Sequence, residues 1–326
     1  MATDDIRTLH RLLEEAREVA SLVSDEPRSE PEGVGYLKDP DGSLARAIDQ
    51  IASHEGEITM FVGAGVSTEA GLPTWSELVA GLLEGVGSDL DDDDRARWLA
   101  LTLKEGPLAA AAIAKALYSD PAEFRRALRS ALYRGRRPPD FLPGALAEQL
   151  AWLKQRLRSR LLLLTANYDG LLEVALRELG LDTVSYVRAR KEPEGKSAVW
   201  HLHGRMMLNP AGSAWLSEGQ LVLAEGEYAR SSYATWPQQY VGERMKESLC
   251  VFIGLSMTDP NFVRWLYRYG SDTDFDHLVV FVRQSAPIGD GSVRRMLERA
   301  AAARWAQSGR IQPSTRRAGV LSAEFQ

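Results

Sequence analysis

Cysteine is almost missing from this chain of 326 residues, with Cys250 the single example. One thiol excludes an intrachain disulfide framework and any cysteine-based zinc ribbon. Its place before Val251-Phe252-Ile253 predicts a small apolar core residue rather than a reactive thiol. Histidine is sparse too, with five in all. No apolar run approaches the ~20 residues that span a bilayer. The opening Met1-Ala2-Thr3-Asp4-Asp5 lacks the basic-then-apolar pattern of a secretory leader. A basic excess is also absent, since the net charge is -6, which argues against nucleic-acid binding by the chain as a whole. The expectation is a cytoplasmic protein with neither membrane nor direct nucleic-acid partners.

What the chain does have is 44% hydrophobic residues with 26% charged residues interspersed, enough for a sizeable core. Leu9, Leu12, Leu13, Ala16, Val19, Ala20 and Val23 recur at helical spacing. Prolines and glycines from Pro27 to Gly42 then read as a linker. The reading divides the chain into an amphipathic helix and linker (1–42), a main α/β domain (43–290) and a C-terminal helix and mobile tail (291–326). Within the main domain, residues 76–158 read as a helical insertion. Thr74 and Glu77 have capping-box spacing, and Asp120-Pro121 reads as an N-cap followed by proline at the first helical position. The acidic run Asp91 to Asp94 reads as a solvated loop or helix start, not a metal site.

Strands are expected at 58–62, 161–164, 183–187, 199–202, 221–223, 251–253 and 278–282. Helices are expected at 171–179, after Pro260, and at 293–305. Alternation of this kind predicts a Rossmann-like, mostly parallel sheet with helices on both faces. Such sheets bind ligands beyond the carboxyl ends of their strands, and four loops there carry polar or glycine-rich sequence. The first is Gly63-Ala64-Gly65-Val66-Ser67. It reads as a strand-to-helix turn whose amides approach a pyrophosphate, with the following helix N-terminus favouring negative charge. Thr68 stands where the third glycine of the dehydrogenase fingerprint would be, and no acidic residue ends a second strand at the distance that fingerprint needs.

The second loop, Thr165-Ala166-Asn167-Tyr168-Asp169-Gly170, offers Asn167 as donor and acceptor toward a ribose hydroxyl or water; Asn167 and Asp169 could equally cap the next helix. The third, His201-Leu202-His203-Gly204, places two histidines on one strand face, as a general base or as an inert structural pair. The fourth is Gly254-Leu255-Ser256-Met257-Thr258-Asp259-Pro260. In it Gly254 permits close approach, Ser256 could bond phosphate or ribose, and Asp259 reads as a helix N-cap.

In this order the loops resemble the sirtuin (SIR2) superfamily, through Gly63-Ala64-Gly65-Val66-Ser67, Ala70-Gly71-Leu72-Pro73, Thr165-Ala166-Asn167-Tyr168-Asp169-Gly170-Leu171, His203-Gly204 and Gly254-Leu255-Ser256. The chain departs from the lysine deacylases of that superfamily. It cannot supply their four-cysteine zinc module, and Pro73-Thr74-Trp75-Ser76 replaces their Pro-Asp-Phe-Arg segment. It looks more like the SIR2-like domains of bacterial anti-phage defence systems.

The resemblance implies an NAD+ glycohydrolase that depletes cellular NAD+, with NAD+ as substrate and no metal. Asn167 and His203 would be catalytic. Gly63, Ala64, Gly65, Ser67, Asp169, Gly254 and Ser256 would bind the dinucleotide, with Asp169 at the carboxamide. The alternatives are a protein deacylase or ADP-ribosyltransferase, and a non-catalytic nucleotide-binding subunit. With no sensor domain visible, control is expected from homo-oligomerisation or from a separately encoded activating or sensing protein.

Overall fold

The computed structural model describes residues 49–136, 140–206, 217–218, 221–231, 235–255, 259–270, 272–284 and 311–318. Its strands are β1 (Ile58–Val62), β2 (Leu161–Thr165), β3 (Thr183–Tyr186), β4 (Ser197–His201), β5 (Arg205–Met206), β6 (Ser217–Glu218), β7 (Leu249–Ile253), β8 (His277–Gln284) and β9 (Ile311–Ala318). Seven of them form one sheet in the order β3-β4-β2-β1-β7-β8-β9, and every pairing in it is parallel. The short β5 and β6 pair antiparallel beside it. A parallel sheet is covered on both faces, so its strands read as unbroken apolar runs. This is why Ile-Thr-Met-Phe-Val and Leu-Leu-Leu-Leu-Thr became the buried centre.

The two-residue period of a strand splits these runs between two cores. Phe61, Leu162, Leu164, Trp200 and Phe252 point to one face, where they meet Phe262 and Trp265. Ile58, Met60, Val62, Leu161, Leu163 and Val251 point to the other, where they meet Leu150, Leu172 and Leu176. Burying each such side chain contributes roughly 1.5–3 kcal/mol, which fixes the register of the strands and hence the level at which every strand-end loop emerges.

Between β1 and β2 lie the expected helices, α1 (Trp75–Val86), α2 (Asp92–Lys104), α3 (Pro107–Leu117), α4 (Pro121–Tyr133) and α5 (Ala145–Leu157). Thr74 and Glu77 form the capping box of α1, Asp91 caps α2 and Asp120 caps α4. Leu78, Leu82, Leu83, Ala110, Ala111 and Leu128 join them in a third core. Then follow α6 (Leu171–Glu178), α7 (Glu225–Ser231), α8 (Trp236–Glu247) and α9 (Pro260–Tyr269). Among the described residues no helix is long and apolar enough to cross a membrane, and no group of three or more His, Cys, Asp or Glu side chains could hold a metal ion.

Two expectations about strands need correction. Residues 221–223 are not a strand. Val222 donates one backbone hydrogen bond to His203 O (3.1 Å) and accepts one from the Tyr168 hydroxyl (2.6 Å), so the apolar triplet serves as a buried plug between loops. The sheet also does not end at β8. Part of the segment read as a mobile tail is β9, which pairs along the whole length of β8. The expected helices at the N-terminus and at 293–305 lie outside the described residues.

Candidate active site

The chain runs from β1 outward through β2 to β4 and β3 on one side, then returns to place β7 on the other side of β1. The sheet therefore reverses direction beside β1, and in such sheets the ligand crevice lies outside the strand ends at this switch point. Gly63 follows β1, Asn167 lies two residues past β2, His203 two past β4 and Gly254 one past β7. Those four adjacent strands set the four sequence-predicted loops in a row ~14 Å wide.

The β1 and β7 loops are locked together. Gly63 N–H donates to Ile253 O (2.9 Å) and Gly65 N–H to Gly254 O (2.9 Å). A Cβ on Gly63 would stand 2.4 Å from Gly254 O, and one on Gly254 would stand 2.9 Å from Val66 N. Gly254 also has φ +66°, in the left-handed region. These glycines thus answer first to loop-on-loop contact.

The strand-to-helix reading of this loop needs correction as well. Two short 3₁₀ turns, Ala64–Val66 and Thr68–Ala70, follow β1, and α1 begins only at Trp75. Thr68, at the missing third glycine, donates its hydroxyl to Gly65 O (3.0 Å) and so opens the second turn. There is no α-helix N-terminus at the loop to attract phosphate. Val66 and Ser67 N–H groups are engaged in the turn, donating to Gly63 O and Ala64 O. The half-buried Ala64 supplies the loop amide outside those bonds, and the exposed Gly65 forms the rim.

Asn167, Asp169 and Ser67 come together. Asn167 Nδ2 donates to Gly63 O and to Ser67 Oγ, both at 3.0 Å, and Ser67 Oγ donates to Asp169 Oδ2 (2.8 Å). The other Asp169 oxygen accepts from Leu171 N–H (3.0 Å) at the start of α6, so part of its work is the capping weighed from sequence. Burial pushes the Asp169 carboxyl up, against the lowering effect of these bonds. Asn167 is held by its amide nitrogen, which leaves its carbonyl oxygen as the group available to a ligand.

The two histidines part company. β4 ends at His201, and His203 sits in the turn beyond it, so they do not share a strand face. His201 is fully buried. Its Nδ1 pairs with Asn167 O (2.9 Å) and its Nε2 with Glu173 Oε1 (2.8 Å). Glu173 also takes the Ser185 hydroxyl (2.5 Å) and faces Arg205 (3.3 Å). Burial works to raise the Glu173 carboxyl, but His201 and Arg205 outweigh it and hold the group at about 2.

His203, 2% exposed, lies instead among Tyr228, Phe262 and Trp265, with ring centroids 5.4–6.5 Å away. Its Nδ1 faces Asp259 Oδ2 at 3.6 Å, and its buried Nε2 has no hydrogen-bond partner among the described residues. Burial pushes its ring nitrogens down, with Asp259 partly opposing, so at neutral pH the imidazole is uncharged and able to accept a proton.

Asp259 caps α9 as expected, accepting through Oδ1 from Asn261 N–H (2.8 Å) and Phe262 N–H (3.1 Å). Ser256 lies outside the described residues. Sequence reasoning did not single out Glu173 or Arg205. A charged residue at 173 inside the apolar run of α6 and an arginine directly after His203-Gly204 were the available signals.

Residues 161–310 match the family model of a SIR2-like domain. The fold is also similar to a solved structure, that of Sir2Tm bound to a propionylated peptide. The identity is 14%, the match covers 79% of this chain and 98% of that one, and the TM-score is 0.36. No curated protein matches the chain.

Proposed function

We propose that the SIR2-like domain is an NAD+ hydrolase that cleaves the bond between nicotinamide and ribose. The observation that carries this reading is the buried His203 Nε2, without a partner among the described residues, one strand away from the Asn167–Ser67–Asp169 cluster and within the SIR2-like match. An orphaned buried nitrogen costs stability of ~1–3 kcal/mol, and a ligand hydroxyl would satisfy it.

The chemistry suits these residues. Nicotinamide leaves NAD+ as a neutral ring from a cationic one, so its departure needs no strong acid. The ribose passes through an oxocarbenium-like centre that asks for oriented dipoles and one nucleophile. Asn167, fixed by two hydrogen bonds through Nδ2, turns its carbonyl oxygen to a water or ribose hydroxyl. His203 Nε2 takes the proton from that water or hydroxyl. Ala64 N–H, with Gly63, Gly65 and Ser67 shaping the loop, would hold the pyrophosphate. Gly254 and Ser256 would lie along the phosphate or the adenosine ribose, and Asp169 would meet the carboxamide.

The likeness to the SIR2-like domains of anti-phage systems extends the reading to an effector that depletes NAD+. Such an activity calls for control by assembly or by a separate activating protein. The test is to incubate purified protein with NAD+ and separate the products chromatographically. Stoichiometric nicotinamide and ADP-ribose support hydrolysis, whereas ADP-ribosylated protein in the mass spectrum would replace it with group transfer.

A further inference from the structure

We infer that Asp259 is a positioning residue for His203: it fixes the imidazole as the Nδ1–H tautomer and so keeps Nε2 as the proton acceptor. The inference rests on the reading of His203 as the general base.

The carboxylate divides its labour between its two oxygens. Oδ1 takes the two amides at the start of α9, which is ordinary capping. Oδ2 takes no amide in those bonds. It accepts the Tyr228 hydroxyl at 2.8 Å and faces His203 Nδ1 at 3.6 Å. Burial, with Asp259 and Tyr168 adding to it, pushes the Tyr228 phenol well up, so it stays protonated and donates. Tyr228 also packs edge-on against the His203 ring, at 5.4 Å and 71°. Oδ2 is thereby held facing Nδ1, about 0.6 Å beyond a good hydrogen bond. Gaps of this kind tighten when substrate binds.

Which imidazole nitrogen carries the proton is set by the partner of the other one. An acceptor at Nδ1 places the proton there and leaves Nε2 its lone pair. Nε2 is the nitrogen left without a partner among the described residues. The groups facing the ring are Asp259, Phe262 and Trp265 from the start of α9 and Tyr228 from α7. Tyr168 lies near enough to Asp259 and Glu227 for both carboxylates to add to the effect of burial in raising its phenol. The proton balance is simple: Nε2 takes one proton from water or a ribose hydroxyl, and the resulting imidazolium is stabilised by the Asp259 carboxylate without proton transfer to it.

The decisive variant is Asp259→Asn. Its carbonyl oxygen keeps the α9 cap, since Asn caps as well as Asp, but an amide NH₂ now faces His203 and favours the Nε2–H tautomer. Nitrogen-15 NMR of the full-length protein with labelled imidazoles, assigned by His203→Gln, should show Nδ1–H in the wild type. It should show a shift toward Nε2–H in Asp259→Asn. In nicotinamide release, kcat should fall ~10²–10⁴-fold with KM nearly unchanged. The acid limb of the pH profile should move lower, because the charge that raises His203 is gone. Tyr228→Phe should give a smaller loss in the same direction.

An unchanged tautomer, or a wild-type kcat and pH profile with only a lowered Tm, would overturn the inference and leave Asp259 a cap. If the wild-type protein releases no nicotinamide, the proposed function fails, and the tautomer measurement still decides the role of Asp259.

Discussion

Three glycine-to-alanine changes separate backbone strain from loop contact. Gly180 has φ +75° and open space for 4 Å around the point where a methyl would lie, so Gly180→Ala costs only the left-handed backbone, ~1 kcal/mol. Gly63 has φ -107°, an ordinary conformation, but its methyl would lie 2.4 Å from Gly254 O, where ordinary contact begins at 3.4 Å. Gly63→Ala therefore forces the β1 and β7 loops about 1 Å apart, an overpacking cost of ~1–3 kcal/mol. Gly254→Ala meets both, with φ +66° and a contact of 2.9 Å to Val66 N, for ~2–4 kcal/mol. At ~2–4 °C per kcal/mol for a domain of this kind, Tm should fall ~2–4 °C for Gly180→Ala and ~4 °C or more for Gly254→Ala. Circular dichroism melts measure the order. Dinucleotide affinity, read by calorimetry, should suffer in the Gly63 and Gly254 variants and not in Gly180→Ala. If Gly254→Ala melts no lower than Gly180→Ala, the loop-on-loop account of these glycines is wrong.

Other consequences lie away from the site. Lys154 is 1% exposed, and its ammonium donates to Arg158 O (2.9 Å), Leu161 O (2.6 Å) and Glu192 (2.9 Å). Lys154→Met should cost ~3–5 kcal/mol in urea unfolding, because it strands the Glu192 carboxylate, and Glu192→Gln in the same background should recover part of the loss. His277 accepts from Cys250 N–H (3.2 Å), and burial pushes its ring down to about 4 from 6.5. A base whose folded pKa is lowered favours folding while neutral. Its contribution is thus full above pH 6.5 and is lost as pH falls from 6.5 toward 4, about 3 kcal/mol in all. Unfolding free energy measured across that window should lose this slope in His277→Phe.

Much of the site was legible because its carriers are unbroken apolar runs that end abruptly in polar or glycine residues. Phe61-Val62 before Gly63 marks both strand and strand end, and β2 runs one residue past Leu163-Leu164, to Thr165. What escaped the reading depended on long-range partners. The last dozen residues, rich in Arg, Ser, Gly and Ala, read as a tail, yet Thr315–Ala318 belong to β9, which is the outermost of the described strands, and an edge strand tolerates proline and charge. Leu221-Val222-Leu223 had strand composition but was claimed by Tyr168 and His203. The spacing of His201 and His203 implied one face, and the end of β4 between them broke that period. Asp259 showed its cap in sequence and hid its second oxygen, because Tyr228 and His203 approach it from elsewhere in the chain.

The most direct measurement of the central claim is nicotinamide release from NAD+ by the wild-type protein beside Asn167→Ala and His203→Ala, each checked for an unaltered circular dichroism spectrum and melt. The account predicts release by the wild type and its loss in both folded variants. Undiminished release in either folded variant would contradict it.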